Sequence, residues 1–165
     1  MDRPTYLVEF ETMLLSRYQL NSHSRREVGM LERSAYVLLS RLSMEGPLSI
    51  GQLSAAFGLD SSTLNRQTAA LLRGGLVERI PDPEGGMARK FRITAEGEHR
   101  LSAEREVSVE GLDRVMRDWT PEEIATFAGY LQRFNTGIER LDGRPWPRPE
   151  APAARSVSAA PRSAV

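Results

Sequence analysis

The chain has no cysteine among its 165 residues, which excludes disulfide staples, thiolate metal sites and thiol-based redox sensing. Histidine is scarce as well: His23 and His99 are its 2 copies, too few to hold a structural zinc without thiolates. No apolar run approaches the roughly 18 residues that a membrane span needs. Asp2, Glu9 and Glu11 interrupt the apolar pattern of the N-terminus, so it is not a secretory signal and a cytoplasmic location is expected. Lysine is represented by Lys90 alone among 22 basic residues, a bias assigned to genome composition rather than to chemistry. An excess of either charge is also missing, because 22 Lys and Arg balance 22 Asp and Glu. Nor is there a Gly-rich phosphate loop followed by lysine, a metal-ligand spacing, or a nucleophile with a nearby histidine. Neighbouring acids such as Glu122 and Glu123 are accounted for by the electrostatics of a helix start. An enzyme, a cofactor and a bound metal are therefore not expected.

What the chain does have is concentrated between Ser49 and Gly97. Ser49 and Gln52 form a capping box, Leu53, Ala56 and Phe57 fall on one helical face, and Gly58 stands where a left-handed helix end is expected. Asp60 or Ser61 then caps a second helix that turns Leu64, Thr68, Leu71 and Leu72 inward. Ser62, Thr63, Asn65, Arg66 and Ala69 are left on its outer face. Gly74 and Gly75 end that helix. Val77–Ile80 follows as a strand, with a partner from about Arg89 to Thr94, and the turn-rich PDPEGG lies between them. Two short capped helices and a hairpin in this order make a winged helix-turn-helix. Its small, polar and cationic second helix suits the major groove of DNA.

This block resembles the MarR family of winged-helix regulators. The matching residues are Ser62, Thr63, Leu64 and Arg66 of the recognition helix, Gly75, Leu76, Val77 and Arg79 of the strand, and Thr94 and Gly97 at its close. The family's wing usually carries an Asp-x-Arg or Asp-Arg-Arg motif, and Gly85, Gly86 and Met87 stand in its place here. Wing contact with DNA is thereby shifted to Arg89 or Lys90. The expected DNA-binding set is Ser61, Ser62, Thr63, Asn65, Arg66, Arg73, Arg89 and Lys90.

The balanced charge is unevenly distributed. Residues 61–92 hold Arg66, Arg73, Arg79, Arg89, Lys90 and Arg92 against Glu78, Asp82 and Glu84, whereas residues 101–142 are predominantly acidic. A basic reading end and an acidic far end follow. Outside the winged block, Tyr6, Phe10, Leu14 and Tyr18 recur at helical spacing, and Glu32 to Glu45 forms a helix with Ala35, Leu38, Leu39 and Leu42 inward. A long helix runs from Thr94 to about Asp118. Thr120, Pro121 and Glu123 start another, which carries Phe127, Leu131, Phe134 and Ile138 on one stripe.

These terminal helices hold more apolar surface than a small winged domain can bury, so a second copy is expected to share it. The resemblance implies a two-fold homodimer made in this way. The sequence thus predicts a mainly α chain with a β-hairpin wing: a single domain over residues 1–143, with 1–30 and 100–142 for dimerisation and 32–97 for DNA. Residues 144–165, rich in Pro, Ala, Ser and Arg, are expected to be a disordered tail. The expected function is a homodimeric transcriptional regulator of a pseudo-palindromic operator. From the resemblance, it is a repressor released by a small molecule, with Tyr18, Tyr36 and Trp119 as secondary candidates for ligand contact. The other reading is a winged-helix protein-interaction module, which the zero net charge and the altered wing favour.

Overall fold

The computed structural model describes residues 3–18 and 31–149. In chain order the elements are α1 (Thr5–Arg17), α2 (Arg33–Glu45), β1 (Leu48–Ser49), α3 (Ile50–Phe57), α4 (Ser61–Arg73), β2 (Val77–Ile80), β3 (Lys90–Ile93), α5 (Ala95–Val115) and α6 (Pro121–Asp142). The local start and stop signals act as their chemistry requires. Ser49 and Gln52 close the capping box of α3, and Gly58 ends that helix at φ 64 in the left-handed region. Asp60, rather than Ser61, caps α4. Thr120 and Glu123 close a second capping box behind Pro121.

The core forms where α2, α3, α4 and α5 meet the sheet. Leu38 and Leu39 of α2, Leu53 of α3, Leu64 of α4 and Leu101 of α5 are fully buried, with Phe91 of β3 among them. Thr68 lies in this core without an unmet hydroxyl, because its Oγ1 donates to the carbonyl of Leu64 at 2.8 Å. Val77 pairs with Ile93 and Arg79 with Phe91 in the hairpin, as an antiparallel wing demands.

Two departures from the expected elements have simple causes. The sheet has a third strand, ordered β1-β3-β2, because Leu48 and Ser49 pair with Phe91 and Lys90. Two residues carry no readable period, so only the tertiary approach of α2 to the hairpin creates β1. Helix α5 stops at Val115 rather than near Asp118. Thr120 precedes a proline, which disfavours helical backbone there, and it adopts ψ 157 to cap α6.

The close T-x-x-G motif at the start of α5 is a packing device. Thr94 Oγ1 accepts from the Gly97 amide at 3.0 Å and donates to the Gly75 carbonyl at 2.7 Å. A Cβ on Gly97 would stand 2.2 Å from the Leu76 carbonyl oxygen, so only glycine lets α5 cross the β2 entry this closely.

The terminal helices behave differently from the head. Neither α1 nor α6 has a buried residue. Tyr6, Phe10 and Tyr18 of the first segment are exposed, as are Phe127, Leu131, Phe134 and Ile138 of α6, while Leu14 is half-buried. The boundary expected at residue 143 requires correction. Residues 144–146 are placed against the head, with Trp146 edge-on to Phe57 at 5.3 Å between ring centroids. A tryptophan flanked by prolines has an aromatic face to dock and little chain entropy to lose, features that composition averaging conceals. The rest of the expected tail, residues 150–165, lies outside the described residues, as does His23.

Candidate nucleic-acid interface

Helix α4 presents its polar face because its apolar residues are spent on the core. With Leu64, Thr68 and Leu71 buried, Ser61, Ser62, Asn65, Arg66, Ala70 and Arg73 are exposed, and Thr63 and Ala69 are half-buried. Arg66 and Arg73 are two helical turns apart and therefore share a face. The first turn is tightly organised around Asp60. Its carboxylate accepts from the Thr63 amide at 2.8 Å, from the Thr63 hydroxyl at 2.9 Å and from the Ser62 hydroxyl at 2.5 Å. These bonds, with that of Ser62 the strongest, hold the Asp60 carboxyl at about 2, below its ordinary 3.8. Ser62 and Thr63 thus stand on the predicted face while their hydroxyl protons are committed to the helix cap.

The cations of the wing divide into those already satisfied and those that are not. Arg92 pairs with Glu78 across the strands at 2.7 Å, and the Arg79 guanidinium lies 5.3 Å from the centroid of the Phe91 ring. Lys90 corrects an expectation. Expected as an exposed phosphate contact, it is 8% exposed and directs its ammonium to Asp82 at 3.1 Å. Asp82 also accepts from the Glu84 amide at 3.0 Å, so this pair fastens the base of the hairpin tip instead of reaching outward. The backbone amide of Glu84 and the Lys90 ammonium hold the Asp82 carboxyl below its usual range. The sequence signal for this pair was the hairpin register: Ile80 lies opposite Lys90, which puts Asp82 just beyond it.

Arg66, Arg73 and Arg89 are the complementary set. All three are exposed, and none forms an ion pair with a described residue. Met87 at the wing tip is fully exposed. Unpaired guanidinium groups on one short helix and on the hairpin that follows it have the chemistry to receive nucleic-acid phosphates and guanine edges.

The ligand candidates are not gathered into one site. Trp119 lines an open depression of about 370 Å³ with Glu122, Glu123, Thr126, Phe127 and Tyr130. Its ring meets Phe127 edge-on at 5.4 Å. Tyr36 is packed against the head core and Tyr18 is exposed at the end of α1, and neither lines that depression. No group of acidic or histidine side chains among the described residues could hold a metal ion.

A family model described as "MarR family" matches residues 31–85. The chain is also 37% identical over 133 residues to the HTH-type transcriptional regulator YxaD of Bacillus subtilis (strain 168), covering 80% of this chain and 93% of that protein. The chain belongs to the MarR family. A MarR family protein from Bacillus stearothermophilus shares the fold at TM-score 0.67 and 24% identity, over 84% of this chain and 99% of that one. The PcaV transcriptional regulator of Streptomyces coelicolor, solved with its natural ligand, does so at TM-score 0.60 and 22% identity, over 84% and 98%. As a MarR-family chain it is a DNA-binding transcriptional regulator, and the family-model match runs from α2 through α4 and β2 into the wing tip. No helix among the described residues is long and apolar enough to cross a membrane.

Proposed function

We propose that this MarR-family chain acts as a homodimer, reads a pseudo-palindromic operator through two α4 helices, and represses by occluding a promoter. The observation that carries this reading is the pairing of two unfinished surfaces in one molecule. One is the set of exposed, unpaired arginines, Arg66 and Arg73 on α4 and Arg89 in the wing; the other is the exposed apolar side chains of α1 and α6. A second copy would cover those apolar side chains, and DNA would supply the counter-charge for the arginines. Ser61, Ser62, Thr63 and Asn65 complete the proposed reading face, while Lys90 supports it from within the wing. Dimerisation is assigned to Tyr6, Phe10, Leu14, Tyr18, Phe127, Leu131, Phe134 and Ile138.

Release by a small molecule belongs to the same proposal. The PcaV regulator is a ligand-bound member of this fold, and the depression at Trp119 offers an aromatic wall beside a proposed dimer helix. The experiment is an electrophoretic shift with genomic fragments at low and moderate salt, run beside analytical ultracentrifugation. A discrete shifted band that survives moderate salt, formed by a dimer, supports the proposal. Binding to no duplex, or equal binding to all, would favour the protein-interaction module.

A further inference from the structure

The segment that follows α6 is unlike a tail. Arg144 through Arg148 leaves the helix at Gly143 and lies across the head. Trp146 packs edge-on to Phe57 of α3 at 5.3 Å, and the Arg41 guanidinium of α2 lies 4.7 Å from the centroid of its ring. Arg41 is itself 7% exposed; it pairs with Glu45 and donates to the Pro145 carbonyl at 3.4 Å. The guanidinium of Arg144 passes over Gly58, where a Cβ would stand 2.6 Å from its Cζ. Glu139 in the last turns of α6 holds the other side. Its carboxylate accepts from the Trp146 amide at 3.2 Å and takes Arg148 in a two-pronged pair at 2.5 and 3.0 Å.

We propose that Trp146 is a positioning residue: the strap Arg144–Arg148 bolts α6 to the reading head and thereby fixes the separation at which two heads meet the operator. Arg148 and the Trp146 amide are anchored on Glu139 of α6, while the Pro145 carbonyl and the Trp146 ring dock on Arg41 and Phe57 of the head, so the two bodies cannot rotate past each other without opening the strap. Pro145 and Pro147 restrict the backbone on both sides of the tryptophan, which lowers the entropy cost of docking. Helix α6 has no buried residue to do this work. The proposal rests on the DNA-binding dimer reading only for its consequence; the bolt itself is a property of one chain.

The test separates the two. Because the chain has no cysteine, Ala70→Cys on α4 and Gln132→Cys on α6 can carry a nitroxide pair in the full chain, diluted with excess unlabelled protein. Pulsed dipolar spectroscopy then reports the distance from head to α6 without DNA. Trp146→Ala should widen that distribution roughly twofold as a fixed contact becomes collective motion. Glu139→Gln, which keeps the ring but removes the anion of Arg148, should widen it less. With DNA, both variants should keep the parent's affinity for a single half-site. Their preference for the native half-site spacing should fall by about tenfold or more, because bivalent engagement depends on fixed geometry. A parental distance distribution in Trp146→Ala overturns the proposal, and Glu139→Gln decides the matter if that variant fails to fold. If the parent binds no duplex, the DNA reading falls, and the distance measurement still stands for or against the bolt.

Discussion

Arginine roles in the head follow from what each guanidinium already touches. Arg66 has no partner among the described residues and sits in the second turn of α4. Its replacement by alanine is expected to cost about 1–3 kcal/mol on the cognate site and to relax preference at one position per half-site, measured against scrambled duplexes. Arg89, beside the wing tip, should behave differently. Arg89→Ala is expected to weaken cognate and random DNA alike and to reduce the slope of log affinity against log salt by about one unit. Lys90, one residue on, provides an internal control. Lys90→Met should leave the salt slope unchanged but speed amide exchange in the hairpin, because Asp82 loses the cation that it faces at 3.1 Å. A salt slope that fell in Lys90→Met as in Arg89→Ala would return the lysine to the DNA surface.

Helix α4 shows how an element can be stabilised and oriented by separate groups. Its orientation depends on burial: Leu64 is fully buried, and Leu64→Ala should cost about 2–5 kcal/mol in urea unfolding, with the reading face lost together with the core. Its start depends on Asp60. The folded carboxyl titrates at about 2 against an ordinary 3.8, so its contribution is complete above the unfolded value and is lost as pH falls from about 4 toward 2. Acid titration should therefore loosen the first turn of α4, and Asp60→Asn should flatten that part of the stability curve. A parental acid limb in Asp60→Asn would assign the loss to other carboxylates. Cap positions such as these were legible in the sequence, because a capping side chain and the amide that it meets are within a few residues of each other.

For the molecule as a whole, the exposed stripes on α1 and α6 predict concentration-dependent stability. The protein should sediment as a dimer, and its melting temperature should rise with concentration as mass action favours the folded pair. Deleting residues 1–20 is expected to give aggregate or unfolded chain, since the stripe on α6 would then lack its partner. A soluble, folded monomer from that deletion would remove α1 from the interface. Cutting the chain after residue 149 should leave the melting temperature unchanged, whereas cutting it after residue 143 should lower it by exposing Phe57 and unpairing Glu139.

Periodicity, caps and turn residues sufficed for the helices of the head, the hairpin, the outward face of α4 and the family resemblance. Each of those features is written in a continuous stretch of neighbouring residues. Strand β1, the inward turn of Lys90 and the docking of Trp146 were not legible to the same degree. Lys90 looked like a free cation until the hairpin register brought Asp82 to it. Trp146 looked like part of a tail until the chain brought it back to Phe57 of α3 and Arg41 of α2, far earlier in the sequence. Local sequence determines which backbone state a segment prefers. Which side chains remain free to meet DNA depends on the partners that strand register and tertiary packing bring to them, and those contacts exist only once the chain has folded.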